Sequence, residues 1–192
     1  MNMEATKMKQ VIIDIPVGKK IKWAYGTLTL IDETHMDAIY RILTVQDAIK
    51  VLNDSDGYEP NLEEYKLMVC DGSLPDSVRA MYKLRIICAA MNCIIETKFP
   101  NNIEGKVIPN FIMRTQNYAN SLTEEEFENE PMISTDSYNA DFPYFAFRDC
   151  TLCDLDYMPI TPYGIYFLNE DAAKYCAEEF INLWADMMLM PK

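Results

Sequence analysis

Gly164–Leu189 reads GIYFLNEDAAKYCAEEFINLWADMML, and this stretch joins a strand signal, a helix cap and an amphipathic helix without a break. Gly164–Leu168 is short, β-branched and aromatic, which predicts a buried strand. Asn169 then offers a side-chain acceptor to the first free N–H groups of a helix, and Glu170 and Asp171 suit the positive end of that helix. Ala172, Ala173, Cys176, Phe180, Leu183, Trp184, Met187 and Met188 recur at three- and four-residue spacing. They predict one apolar face on a single C-terminal amphipathic helix.

Upstream, Leu74-Pro75-Asp76 opens a second strong helix, because proline suits a first turn where its missing N–H would be unpaired anyway. It is expected to run to about Asn92, burying Val78, Met81, Leu84, Ile87, Cys88 and Met91 as one stripe. Thr44 caps a shorter helix over Val45–Leu52, with Asp47 closing an approximate capping box, and a further helix is expected over Leu62–Cys70. Strands are expected at Tyr144–Cys153 (YFAFRDCTLC), at Gln10–Ile15, within Ile21–Ile31 with a turn or bulge at Tyr25-Gly26, and at Val107–Met113 with an interruption at Pro109. The alternation around Leu28 and Leu30 predicts one buried face.

Thr115–Asp141 reads as an acidic, loop-like insertion, with five glutamates between Glu124 and Glu130. A short helix over Leu122–Phe127 fits inside it, capped by Ser121 with Glu124 closing the box. The order of elements matches an antiparallel sheet with helices packed on one face better than βαβ winding. The expectation is therefore an α+β fold in a single domain, 1–192.

The totals narrow the function. Apolar residues make up 49% and charged residues 24% of the 192 residues, the composition of a folded chain. No apolar run approaches the roughly 20 residues that cross a bilayer. MNMEATKMKQ lacks the apolar core of a signal peptide, so the six cysteines are expected to be reduced cytosolic thiols. A net charge of −13 argues against direct binding to nucleic acid or to anionic membranes.

Three patterns resemble chemistry. Leu52–Glu64 has the outline of a calcium loop, with Gly57 at the sharp turn, Asp54 and Asp56 before it and Glu63 after it. However, Leu52 stands where the first ligand belongs and Pro60 offers no side-chain oxygen, so Asn53–Gly57 reads as a turn. Cys150-Thr-Leu-Cys153 is a CxxC pair. It lacks two further zinc ligands, and in a strand residues three apart point to opposite faces. His35, the sole histidine, lies among acids without a nucleophile motif and reads as a surface-loop residue. No catalytic, metal or cofactor residue is assigned. The aromatic segment from Phe142 to Phe167 is expected to contribute mostly to the core, and the remaining candidates form an interaction surface: Tyr144, Tyr157, Tyr163, Glu124, Glu125 and Glu126.

Val11–Trp23 (VIIDIPVGKKIKW), Ile42–Asn53 (ILTVQDAIKVLN), Ala80–Asn92 (AMYKLRIICAAMN) and Gly164–Leu189 together resemble a family of small proteins from gut Bacteroidales and their phages, crAss-like ones included. The resemblance covers both ends and the middle and is weakest over Glu96–Asp141. It brings no catalytic residues. It implies a phage or prophage gene acting in the cytoplasm of a bacterial host or in a virion. The leading expectation is a non-enzymatic interaction or accessory protein with a protein partner or self-association. The alternatives are a small enzyme using His35 or scattered carboxylates, and an acidic mimic of nucleic acid.

Overall fold

The computed structural model describes residues 14–16, 18–24, 27–55, 59, 61–138, 140–153, 165–189 and 191. The chain divides into two units, Met1–Thr34 and His35–Lys192.

The first unit holds a hairpin. β1 (Lys19–Ala24) runs antiparallel to β2 (Thr27–Asp32), with Lys19 opposite Asp32, Ile21 opposite Leu30 and Trp23 opposite Leu28. Lys19 closes the open end by donating to Asp32. An antiparallel pair is what the alternation within Ile21–Ile31 predicts. Its turn at Tyr25-Gly26 and most of Gln10–Ile15 lie outside the described residues.

The second unit begins with α1 (His35–Ile39), α2 (Val45–Asn53) and α3 (Leu62–Cys70). Thr44 caps α2 as expected: its Oγ1 accepts from Asp47 N at 3.2 Å, and Asp47 Oδ2 accepts from Leu43 N at 3.2 Å. α4 (Asp76–Lys98) starts where Pro75 places it but runs past Asn92 to Lys98. Two causes extend it. Cys93, Ile94 and Ile95 are all buried, and the helix stops only at Phe99, which Pro100 holds off helical geometry. From Ile86 to Ile95 every residue except Ala89 is buried. The helix is thus surrounded rather than striped, with α2, α3 and α8 (Ile181–Met188) against it. Val78 and Met81, expected in the stripe, are only half-buried.

β3 (Lys106–Arg114), β4 (Met132–Ser134) and β5 (Tyr144–Cys153) form an antiparallel sheet of order β3-β5-β4. α7 (Glu170–Glu179) packs on β3 and β5, and α8 packs on β4 and β5. The fold is α+β. Pro109 does not interrupt β3. Val107 exchanges N–H···O bonds of 2.7 and 2.8 Å with Phe167, on the side of β3 away from β5. Pro109, two residues on, faces the same way, so its missing N–H falls on the sheet edge, where proline is tolerated.

The predicted strand at Gly164–Leu168 reduces to that single bridge. The neighbour on its other side is a side chain. Asn92 Nδ2 donates to Tyr166 O at 2.9 Å, and Asn92 Oδ1 accepts from Leu168 N at 3.0 Å. The amide of one helical residue thus takes the bonds that an adjoining strand would make.

Residues 115–141, expected to be loop-like, contain α5 (Gln116–Ser121), α6 (Glu124–Asn129) and β4. The expected cap is displaced by two residues. Thr123, not Ser121, caps α6, and Glu126 closes the box, while Ser121 Oγ donates back to Tyr118 O at 2.6 Å and ends α5. The C-terminal helix is present but breaks at Phe180 into α7 and α8. At the break, Trp184 Nε1 donates to Cys176 O at 3.3 Å, the same carbonyl that Phe180 N reaches at 3.2 Å. A side chain bonding into the helical ladder is a known source of kinks. Above the sheet, Phe111 lies between Phe145 and Trp184, with ring centroids 5.0 Å away on both sides.

Candidate functional site

His35 is not a loop residue. It opens α1, its side chain is 15% exposed, and Nε2 lies 3.6 Å from Asp171 Oδ2 at the start of α7. Nε2 is enclosed, with no hydrogen-bond partner. The shallow cleft alongside, about 250 Å³, is lined by Met36, Tyr40, Asp171, Lys174, Tyr175 and Glu178. A base must reach the proton it removes, and this nitrogen is shut away from the cleft.

Cys150 and Cys153 both lie on β5, opposite Pro109 and Lys106 of β3. Burial, helped by the nearby carboxylates of Glu170, Asp149 and Glu178, pushes the Cys150 thiol up to about 12. Burial likewise pushes Cys88 up to about 12 and Cys176 well above the usual thiol range. Cys70 at the end of α3 is exposed. Thiolate is the reactive form. Alkylation of the native protein at pH 8 is therefore expected to modify Cys70 first and to reach Cys88, Cys150 and Cys176 only after unfolding. Peptide mass mapping over time checks the order; equal rates at Cys70 and Cys88 would contradict it.

Of the sequence-predicted interaction residues, Tyr157 and Tyr163 lie outside the described residues. The others meet. Tyr144 projects from the face of β5 opposite buried Phe145, and the Phe127 ring of α6 stands edge-on to it with centroids 6.0 Å apart. Glu124 and Glu125 are exposed on the first turn of α6. Glu126 is engaged locally: its Oε2 accepts from Thr123 N and Oγ1 at 2.8 Å each, and these bonds hold its carboxyl below the usual range. Two of the three glutamates are thus open to a partner, beside an aromatic pair. In the turn once considered for calcium, Asp54 follows α2, and Glu63 sits in α3 bonded to Lys66 at 2.6 Å. Asp56, Gly57 and Pro60 lie outside the described residues. Among the described residues, no group of three or more His, Cys, Asp or Glu side chains could hold a metal ion, and no helix is long and apolar enough to cross a membrane.

An exposed apolar face lies on the hairpin, where the alternation around Leu28 and Leu30 predicted a buried one. Ile21, Trp23, Leu28 and Leu30 share one face of the hairpin. Trp23 is 66% exposed, Leu28 48% and Leu30 47%. The opposite face carries Lys20, Lys22, Thr27 and Thr29 together with Ala24 and Ile31. No family model, curated protein or solved structure matches this chain. The assignment of a surface rests on the geometry alone.

Proposed function

We propose that this chain is a non-enzymatic interaction protein, phage- or prophage-encoded, that serves as a virion accessory component or a modulator of a host protein. The supporting observation is the hairpin face of Ile21, Trp23, Leu28 and Leu30. An isolated two-stranded hairpin is only marginally stable in water, and an exposed tryptophan between aliphatic neighbours is the composition of an interface centre. A protein that covers this face gains a rigid aromatic anchor and stabilises the hairpin at the same time. The lysines of the opposite face and the Lys19–Asp32 pair keep the rim polar. The open aromatic-acidic patch of Tyr144, Phe127, Glu124 and Glu125 suits a second contact with basic side chains.

Trp23→Ser in the full chain tests this reading by light scattering and affinity capture from host lysate. Oligomer or complex formed by the wild type is expected to disappear, with the far-ultraviolet spectrum of the larger unit retained. Loss of a well-packed anchor costs at least ~2 kcal/mol of binding, or roughly 30-fold in affinity. Complexes that survive both Trp23→Ser and Leu30→Ser, or a wild-type chain that forms no complex and no oligomer, would sink the proposal.

A further inference from the structure

α2, α3, α4, Phe180 and the first turn of α8 enclose an open groove of about 430 Å³. Its walls are apolar, with Ile49 from α2, Val69 from α3, Ile86 from α4, and Phe180 and Leu183 from the C-terminal helices. Two lysines also line it, Lys66 and Lys83. Lys66 is bonded to Glu63 at 2.6 Å. Lys83 is half-buried, and among the described residues no carboxylate lines the groove beside it. This is notable in a chain with 30 acids and 17 bases. Lysine readily lays its alkyl stem on apolar surface, but a partly desolvated ammonium group gains from an anion that arrives with a ligand.

We propose that this groove binds an alkyl carboxylate, with the chain against Ile49, Val69, Ile86, Phe180 and Leu183 and the carboxylate on Lys83 and Lys66. The apolar walls supply the burial, and the two ammonium groups fix the orientation of the head. The volume lies at the lower end of the roughly 300–1,000 Å³ range of small-molecule pockets. It suits a single alkyl chain better than an α-helix, which measures about 10–12 Å across with its side chains. Cys70 lines the same groove and is exposed, so its thiol reports occupancy directly. The site lies wholly in the larger unit and does not depend on the hairpin interaction.

The experiment uses the full chain with dodecanoate, below its micelle concentration, as the probe. Calorimetry measures affinity, and the rate of Cys70 alkylation by uncharged iodoacetamide measures occupancy. Dodecanoate is expected to bind and to slow Cys70 alkylation. Dodecanol, of equal chain length and without charge, is expected to bind at least about tenfold more weakly, which is the loss of one charge-assisted contact. Lys83→Met keeps the stem and removes the charge, and should weaken dodecanoate by a similar factor. Lys83→Arg keeps the charge and should bind. Lys66→Met provides an independent variant. Any of three results overturns the proposal: unchanged Cys70 alkylation with dodecanoate, equal affinity in the wild type and both methionine variants, or protection of Cys70 by an acidic amphipathic peptide but not by dodecanoate.

Discussion

Asn92→Ala is expected to destabilise the larger unit by about 1–3 kcal/mol, because the buried Leu168 N–H loses its partner, while Tyr166 O keeps the Cys88 thiol at 2.7 Å. Asn92 is buried, and its amide is shared between Tyr166 O and Leu168 N. Alanine can do neither job. For a chain of this size the melting midpoint should fall by roughly 2–12 °C, as followed by circular dichroism at 222 nm. Asn92→Asp discriminates further. The carboxylate still accepts from Leu168 N but cannot donate to Tyr166 O, and it buries a charge, so aspartate should be no better than alanine. A fall of under about 2 °C for both variants would mean that the amide does not hold this segment.

Phe167→Ala is the second large effect, at about 3–5 kcal/mol. The ring is fully buried, and its backbone makes the only bridge between the 165–168 segment and β3 among the described residues. Removing it leaves a cavity that the bridge itself keeps from collapsing. Urea unfolding should show a lower midpoint at unchanged slope, the mark of lost stability rather than altered compactness. Phe167→Leu conserves most of the volume and should cost less than about 1.5 kcal/mol. Equal losses for leucine and alanine would show that ring shape, not filled volume, is what the site requires.

These two residues also show where the sequence was legible. Local signals carried through. Thr44 and Asn169 cap the helices they were expected to cap, and YFAFRDCTLC is a strand over its full length. The α+β class followed from that order of elements. The errors arise where a distant partner overrides a local pattern. Gly164–Leu168 has strand composition, but the side chain of Asn92, more than 70 residues earlier, occupies the place of a pairing strand. Likewise Glu104, not evident from local spacing, accepts from Glu170 N at 2.8 Å and from Asn169 Nδ2 at 3.1 Å, completing the start of α7. The C-terminal periodicity looked continuous because the break at Phe180 comes from the Trp184 indole, which leaves the spacing of apolar residues unchanged.

The interaction surfaces were less legible, for a related reason. Alternation reports that one face of a strand is apolar, not that anything covers it, so Leu28 and Leu30 read as core. Glu126 and Glu124 look alike in a run of acids, and only the choice between Ser121 and Thr123 as cap decides which carboxylate is engaged. The groove between α2, α3 and α4 has no sequence signature, because its lining comes from segments between Leu43 and Leu183.

The bonds from Asn92 to Tyr166 and Leu168 also bear on how the chain is made. They span 74 and 76 residues. At synthesis rates of ~5–20 residues per second, α4 leaves the ribosome about 4–15 s before the segment that completes its surroundings. During that interval the apolar surface from Ile86 to Ile95 lacks its C-terminal cover. The nascent chain must therefore wait in a sticky, half-finished state, and its yield in a cell is expected to depend on chaperones that shield such surfaces during translation.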